Sequence, residues 1–178
     1  MMRFRIVVAA MACALVAACA FGSYEALIPA DAVVLPLGTA SVAETYNQSA
    51  DDPARWDRVT ENDVPEAYAI RQEGYGYWLD EELWLVFARL DGSTDEYLMQ
   101  VALPDEAIEG GYVYSYGVGK LAGDKLFVKF PDCDDLSIDS MNELGLDAEC
   151  AITAYADLKQ VIAETKDAVG YSTYYQLR

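Results

Sequence analysis

The chain has 178 residues, 53% hydrophobic and 12% aromatic, with 12 Lys and Arg against 30 Asp and Glu and a formal net charge of −18. A surface of that sign repels phosphate backbones, which argues against nucleic acid as a partner, while it attracts cationic proteins, peptides or metal ions. With no histidine and no GxSxG, SxxK or phosphate-cradling glycine loop, Ser-His and Cys-His nucleophiles and the usual zinc ligands are ruled out, and the sequence points to no enzyme and no cofactor.

Arg3 and Arg5 precede thirteen consecutive apolar residues, Ile6 to Ala18. A bilayer span takes about 20, so this is the pattern of a cleaved leader. Val16-Ala17-Ala18-Cys19, with Leu15 just ahead, resembles the lipobox of bacterial lipoprotein precursors. The resemblance covers residues 1–22 only, and no family is recognised for the mature domain. It implies diacylglyceryl transfer to the Cys19 thiol, cleavage before Cys19 and membrane attachment through two or three chains, each buried methylene contributing about 0.8 kcal/mol. Ala20 in place of an aspartate implies the outer membrane, facing the periplasm. The alternative is an ordinary secretory signal cleaved near Ala20.

Losing the leader removes two basic residues and no acids, leaving a net charge of roughly −20. With Cys13 discarded and Cys19 lipidated, an oxidising compartment makes a Cys133–Cys150 disulfide the expectation, closing a loop of about 18 residues and contributing roughly 3 kcal/mol. A metal site on the two thiolates is the rival reading, unsupported by any histidine or CxxC. Residues 1–18 are therefore read as the leader, 19–37 as lipid anchor and tether, and 38–178 as a single domain.

Within that domain, residues 47–66 are polar, broken by Pro53 and Pro65, and read as a long loop or short helical turn. "LWLVFARL" (83–90) and "EYLMQVAL" (96–103) flank Asp91-Gly92 and predict an antiparallel hairpin. The first run is apolar on both faces, as in a strand covered on both sides. "GGYVYSYGVG" (110–119) and "DKLFVKF" (124–130) predict a second pair, with Tyr112, Tyr114 and Tyr116 on one face and Lys125 and Lys129 turned to solvent. Ala154, Leu158, Val161, Ile162, Thr165, Ala168 and Val169 recur at the helical period. They predict a helix over 154–169, capped by Thr153 and stopped at Gly170. "YSTYYQL" (171–177) reads as a final strand. The expected fold is α+β: an antiparallel meander, curled toward a partly open barrel and packed by the C-terminal helix.

Three constellations bear on function. Residues 130–150 carry seven acids and no base, yet an EF-hand reading starting at Asp132 and Asp134 and ending at Glu143 fails, with Leu136 in a ligand position and Ser137 where the turn glycine belongs. A different calcium loop through Asp132, Asp134, Asp135 and Asp139 competes with an acidic surface loop containing a helical turn at 140–144, capped by Ser140 and Glu143. Eight of the thirteen tyrosines cluster in "GYGYW", "YVYSYG" and "YSTYY". Tyr75, Tyr77, Tyr112, Tyr114 and Tyr116 are the candidate binding face, against the plainer reading that tyrosine merely suits half-buried strands. Asp80, Glu81 and Glu82 offer clustered carboxylates of the kind that hydrolyse glycosides, or simply a solvated turn.

The sequence thus describes a non-enzymatic, lipid-anchored envelope protein that acts as a binding module for another protein or envelope component. An inhibitor of a basic hydrolase such as lysozyme and a calcium-stabilised adhesion or structural domain are the alternatives.

Overall fold

Alternating apolar positions bounded by turn residues build eight antiparallel strands: β1 (Val42–Gln48), β2 (Ala67–Glu73), β3 (Gly76–Leu79), β4 (Leu83–Arg89), β5 (Glu96–Asp105), β6 (Gly111–Ala122), β7 (Lys125–Lys129) and β8 (Thr173–Leu177). The computed structural model describes residues 21–105, 111–144, 146 and 151–178. Cys19, Cys150 and the leader lie outside the described residues; Cys133 is disulfide-bonded.

Each barrel strand pairs with its neighbour in sequence, and β8 pairs with both β7 and β1, so the sheet closes. The barrel is closed, not partly open as the sequence suggested. In the closing strand Tyr175 stands opposite Leu126 on one side and Thr45 on the other, which removes the two free edges an open meander would expose. Followed around the circuit, the registers shift by about 12 residues. With strands about 4.8 Å apart and a rise of about 3.3 Å per residue, that stagger gives a tilt of about 45° and a backbone radius of about 9 Å.

Closure sorts the alternating side chains into two cores. Leu85, Phe87, Met99, Val101, Leu126 and Val128 fill the interior, whereas Val86, Ala88, Leu98, Tyr116 and Val118 point outward into a second apolar layer. β4 is therefore covered on both faces, as its sequence predicts. The outer layer is sealed by helix α2 (Tyr155–Thr165), following a short α1 (Ile138–Leu144), and α2 contributes Leu158, Val161 and Ile162, all fully buried. A glycine permits a close approach of two strands. A Cβ at Gly117 would lie 2.6 Å from the Lys129 carbonyl oxygen and 2.7 Å from the Phe130 ring, so β6 can approach β7 there only without a side chain.

Several expectations are corrected. The segment read as a tether is packed from Phe21 onward: Phe21 is fully buried and Gly22–Ser23 pairs with β6. Gln100 Oε1 accepts the Leu27 and Ile28 amides at 3.0 and 3.2 Å, and Tyr116 Oη donates to the Glu25 carbonyl at 3.1 Å, so the barrel wall pins this segment in place. Residues 47–66 contain strand Trp56–Arg58, paired with β1, and a hairpin of Thr60–Glu61 with Val64–Pro65. α2 starts after Ala154, which makes no side-chain cap, and ends at Thr165, short of Gly170. α1 is capped by Ser137, whose hydroxyl accepts the Ser140 amide at 3.0 Å, three residues earlier than the predicted cap. Lys129 does lie on the outer face, but α2 covers it. Only 7% exposed, it donates to the carbonyls of Lys166 and Val169 and sits 4.5 Å from the Tyr171 ring centroid, bringing a cation to the negative end of the helix.

Candidate functional site

On the outer wall, where Trp84 and Tyr114 border the outer core, the registers line up Arg71, Trp78, Trp84, Ala102 and Tyr114 across β2, β3, β4, β5 and β6. Trp78 and Trp84 meet at 4.9 Å, and Tyr75 stands edge-on to Trp84 at 5.6 Å. Gly76 makes room for this arrangement, since a Cβ there would fall 2.5 Å from the Trp84 ring. Tyr75 is 57% exposed and Tyr112 38%, while Ala102, at 3%, lies between the larger Trp84 and Tyr114. Burial first, then the neighbouring Tyr75 and Tyr112, raises the pKa of the Tyr114 hydroxyl, which places the three tyrosines in one patch.

Beside this row, Asp80–Glu82 forms the three-residue hairpin loop between the paired Leu79 and Leu83, with the Glu82 amide donating to the Leu79 carbonyl and Asp80 and Glu81 both at positive φ (49° and 63°). Asp80 tolerates this conformation and accepts the Ala69 amide at 2.6 Å; Glu81 does so at the usual cost for an L-residue with no such bond. Glu81 and Glu82 are exposed. The three acids do not face one another in a pocket; they form an anionic rim next to Trp78 and Trp84.

The barrel interior is the second concave feature. It holds a cavity of about 60 Å³ lined by apolar side chains including Ala43, Ile70, Leu79, Met99, Val101 and Val128. Leu37 lines it, with its amide donating to Tyr77 Oη at 3.1 Å, and the edge-to-face rings of Tyr77, Phe87 and Tyr97 pack in the same interior core. The Thr45 and Ser115 hydroxyls are buried with no hydrogen-bond partner among the described residues. Two such groups cost about 1–3 kcal/mol each in a dry core. Near Thr45, Tyr68 donates to Glu66, and burial followed by the Glu66 charge raises the Tyr175 pKa.

No known protein family, curated protein or solved structure matches the chain.

The structure brings together three of the five tyrosines singled out from the sequence, Tyr75, Tyr112 and Tyr114. Tyr77 is fully buried inside the barrel because its parity matches Leu79, not Trp78. Tyr116 shares the outer face with Tyr114 but is fully buried beneath residues 25–28, and that burial raises its pKa. Sequence reasoning missed Trp78 and Trp84; their shared parity with Tyr114 across three strands becomes a signal only once the hairpin registers are fixed. In the acidic segment, Asp132 Oδ1 accepts the Asp134 amide and Asp135 Oδ2 the Asp132 amide, so these carboxylates cap a turn over Cys133–Asp135. Among the described residues, no group of three or more acids and cysteines is placed to hold a metal ion.

Proposed function

We propose that this protein is a lipid-anchored module of the bacterial envelope that binds a basic protein partner through the outer aromatic row. The observation that carries the reading is the alignment of Trp78, Trp84 and Tyr114, each half-buried at the edge of the outer core, with Tyr75 and Tyr112 exposed beside them and Glu81 and Glu82 exposed alongside. Aromatic faces attract Lys and Arg side chains. The net charge of −18 supplies long-range steering toward a cationic surface. Inhibition of a basic hydrolase such as lysozyme is one form this binding could take.

The test is binding of cationic proteins, lysozyme among them, to the processed protein at low and physiological salt. Trp84→Ala and Tyr75→Ala should weaken binding at least tenfold without changing its salt dependence, and Glu81→Gln should flatten that dependence. Unchanged affinity in both aromatic variants would reduce the attraction to nonspecific charge and end the proposal. The anchor is tested separately by mass spectrometry of the native product, which should begin at an acylated Cys19 and show Cys133 joined to Cys150.

A further inference from the structure

Only Cys19 and Ala20 stand between the proposed anchor and Phe21, whose side chain is fully buried in the outer core. Two residues of extended chain reach at most about 7 Å. The body of the domain therefore begins within about one Debye length, roughly 8 Å at physiological salt, of the acylated residue. No slack remains to lift it clear of the bilayer. The registers say which side of the domain this is. The Phe21 carbonyl accepts the Tyr116 amide at 3.1 Å, and Gly22 and Ser23 pair with Ser115 and Tyr114 of β6. Among the described residues three aromatic side chains are exposed, Tyr24 (76%), Tyr75 (57%) and Tyr112 (38%). All three gather around this pairing: Tyr24 follows Ser23 and shares a hollow with Val113 of β6, and Tyr75 and Tyr112 both neighbour Tyr114. The surface here is also poor in charge, since Glu25 and Asp31 are the only charged residues from Phe21 to Leu37 in a chain with 30 acids.

We propose that the anchored protein lies directly on its bilayer, with Tyr24 and Tyr112 seated in the headgroup layer. This rests on the lipid-anchor reading of Cys19 and is independent of the protein partner. A tyrosine ring buries its carbon at headgroup level while its hydroxyl stays hydrated, which is why such residues collect at membrane interfaces. Tyr24 is at most about 18 Å of chain from Cys19, so both reach one membrane surface. An orientation follows. With β6 nearest the lipid, Trp84 on β4 stands two strands away and Trp78 on β3 three, about 10 and 14 Å around the wall. β2, four strands from β6, faces away from the bilayer. The aromatic row thus climbs from the membrane, leaving the two indoles and the Asp80–Glu82 loop open to a partner in the aqueous space.

The experiment places the acylated protein in phosphatidylcholine nanodiscs carrying a gadolinium-chelating headgroup lipid and reads amide line broadening by NMR, with mass spectrometry of the same sample reporting the lipid on Cys19. Ser23, Tyr24 and Val113 should broaden at least about tenfold more than Asn62 and Asp63, whose hairpin lies beside β1 and β2, about a barrel diameter (about 18 Å) further from the lipid. Tyr24→Ser with Tyr112→Ser should cut the broadening at Val113 at least about threefold while Cys19 stays acylated. Both side chains are exposed, so the melting temperature of the double variant should match the parent. Equal broadening on the two walls, or a double variant that broadens like the parent, overturns the proposal and leaves the anchor standing. A Cys19 without lipid overturns the anchor and this orientation together. Concentration-dependent shifts at Tyr24 and Tyr112 in the absence of lipid would give the face to a second copy of the chain and also overturn it.

Discussion

Replacing Gly117 by alanine adds one carbon where β6 closely approaches β7. That carbon would stand 2.6 Å from the Lys129 carbonyl oxygen and 2.7 Å from Phe130 Cδ1. The ring can turn aside, but the oxygen belongs to β7 at the residue paired with Val118, so relief requires the two strands to separate. Removing glycine's extra backbone freedom favours the fold by about 0.5–1 kcal/mol, whereas overpacking against a fixed wall costs about 1–3 kcal/mol or more. The net expectation is a loss of about 2 kcal/mol, which for a domain of this size lowers the melting temperature by about 6 °C. Gly170→Ala is the control, because a Cβ there meets open space and should stabilise by about 0.4–1 kcal/mol. Calorimetry of both variants and of Gly117→Ala with Phe130→Leu separates the two contacts: the double variant should recover only part of the loss. Full recovery would assign the clash to the ring alone, and a Gly117→Ala protein as stable as the parent would refute the close approach of β6 to β7.

The tyrosines at positions 68, 116, 171 and 175 all have raised pKa values, with burial as the leading cause. Unfolded tyrosines ionise near pH 10, so above that pH the unfolded chain binds fewer protons and stability should fall as pH rises; a melting temperature flat from pH 9 to 12 would contradict this. Lys129→Met leaves the Lys166 and Val169 carbonyls without their ammonium donor and should cost about 2 kcal/mol in a denaturant titration, against under about 0.5 kcal/mol for the more exposed Lys125→Met. Glu81→Gly should stabilise the fold by about 1 kcal/mol by relieving its left-handed backbone, and a loss in thermal melting would show that the turn geometry is wrong.

The parts of this fold legible in the sequence are those fixed by local chemistry. Asp91-Gly92 and the alternation on either side of it specify the β4–β5 pairing, and the two-sided apolar pattern of residues 83–90 correctly implies a layer on each face. Closure was not legible, because it depends on residues 173–177 pairing with both 43–47 and 125–128, a juxtaposition that no local pattern encodes. The same limit governs the site. Period-two spacing puts Tyr75 and Tyr77 on one parity, but Tyr75 sits in the turn before β3, where parity no longer determines direction, while Tyr77 enters the barrel. Tyr112, Tyr114 and Tyr116 share an outward parity, yet the covering segment at 21–28 buries only the last of them. Lys129 shows the converse: its direction was readable, and the helix laid over it was not.

Strand length explains why the aromatic row lies at the margin of the outer core. β5 and β6 run for 10 and 12 residues, whereas β7 and β8 have 5 each, so the first pair extends past the part of the barrel the short strands close. α2 and its partners cover the outward residues Val86, Ala88, Leu98 and Val118, nearer the β4–β5 turn. Two residues further toward the opposite end, the same parity brings Trp84 and Ala102 into register, with Tyr114 beside them. Side chains this large at the limit of the cover are half-buried, with Trp78, Trp84 and Tyr75 holding one another's rings in place. A wall built only to be hidden would taper to polar residues at that limit. This one ends in two indoles and a phenol around a small alanine, the feature on which the proposed binding rests.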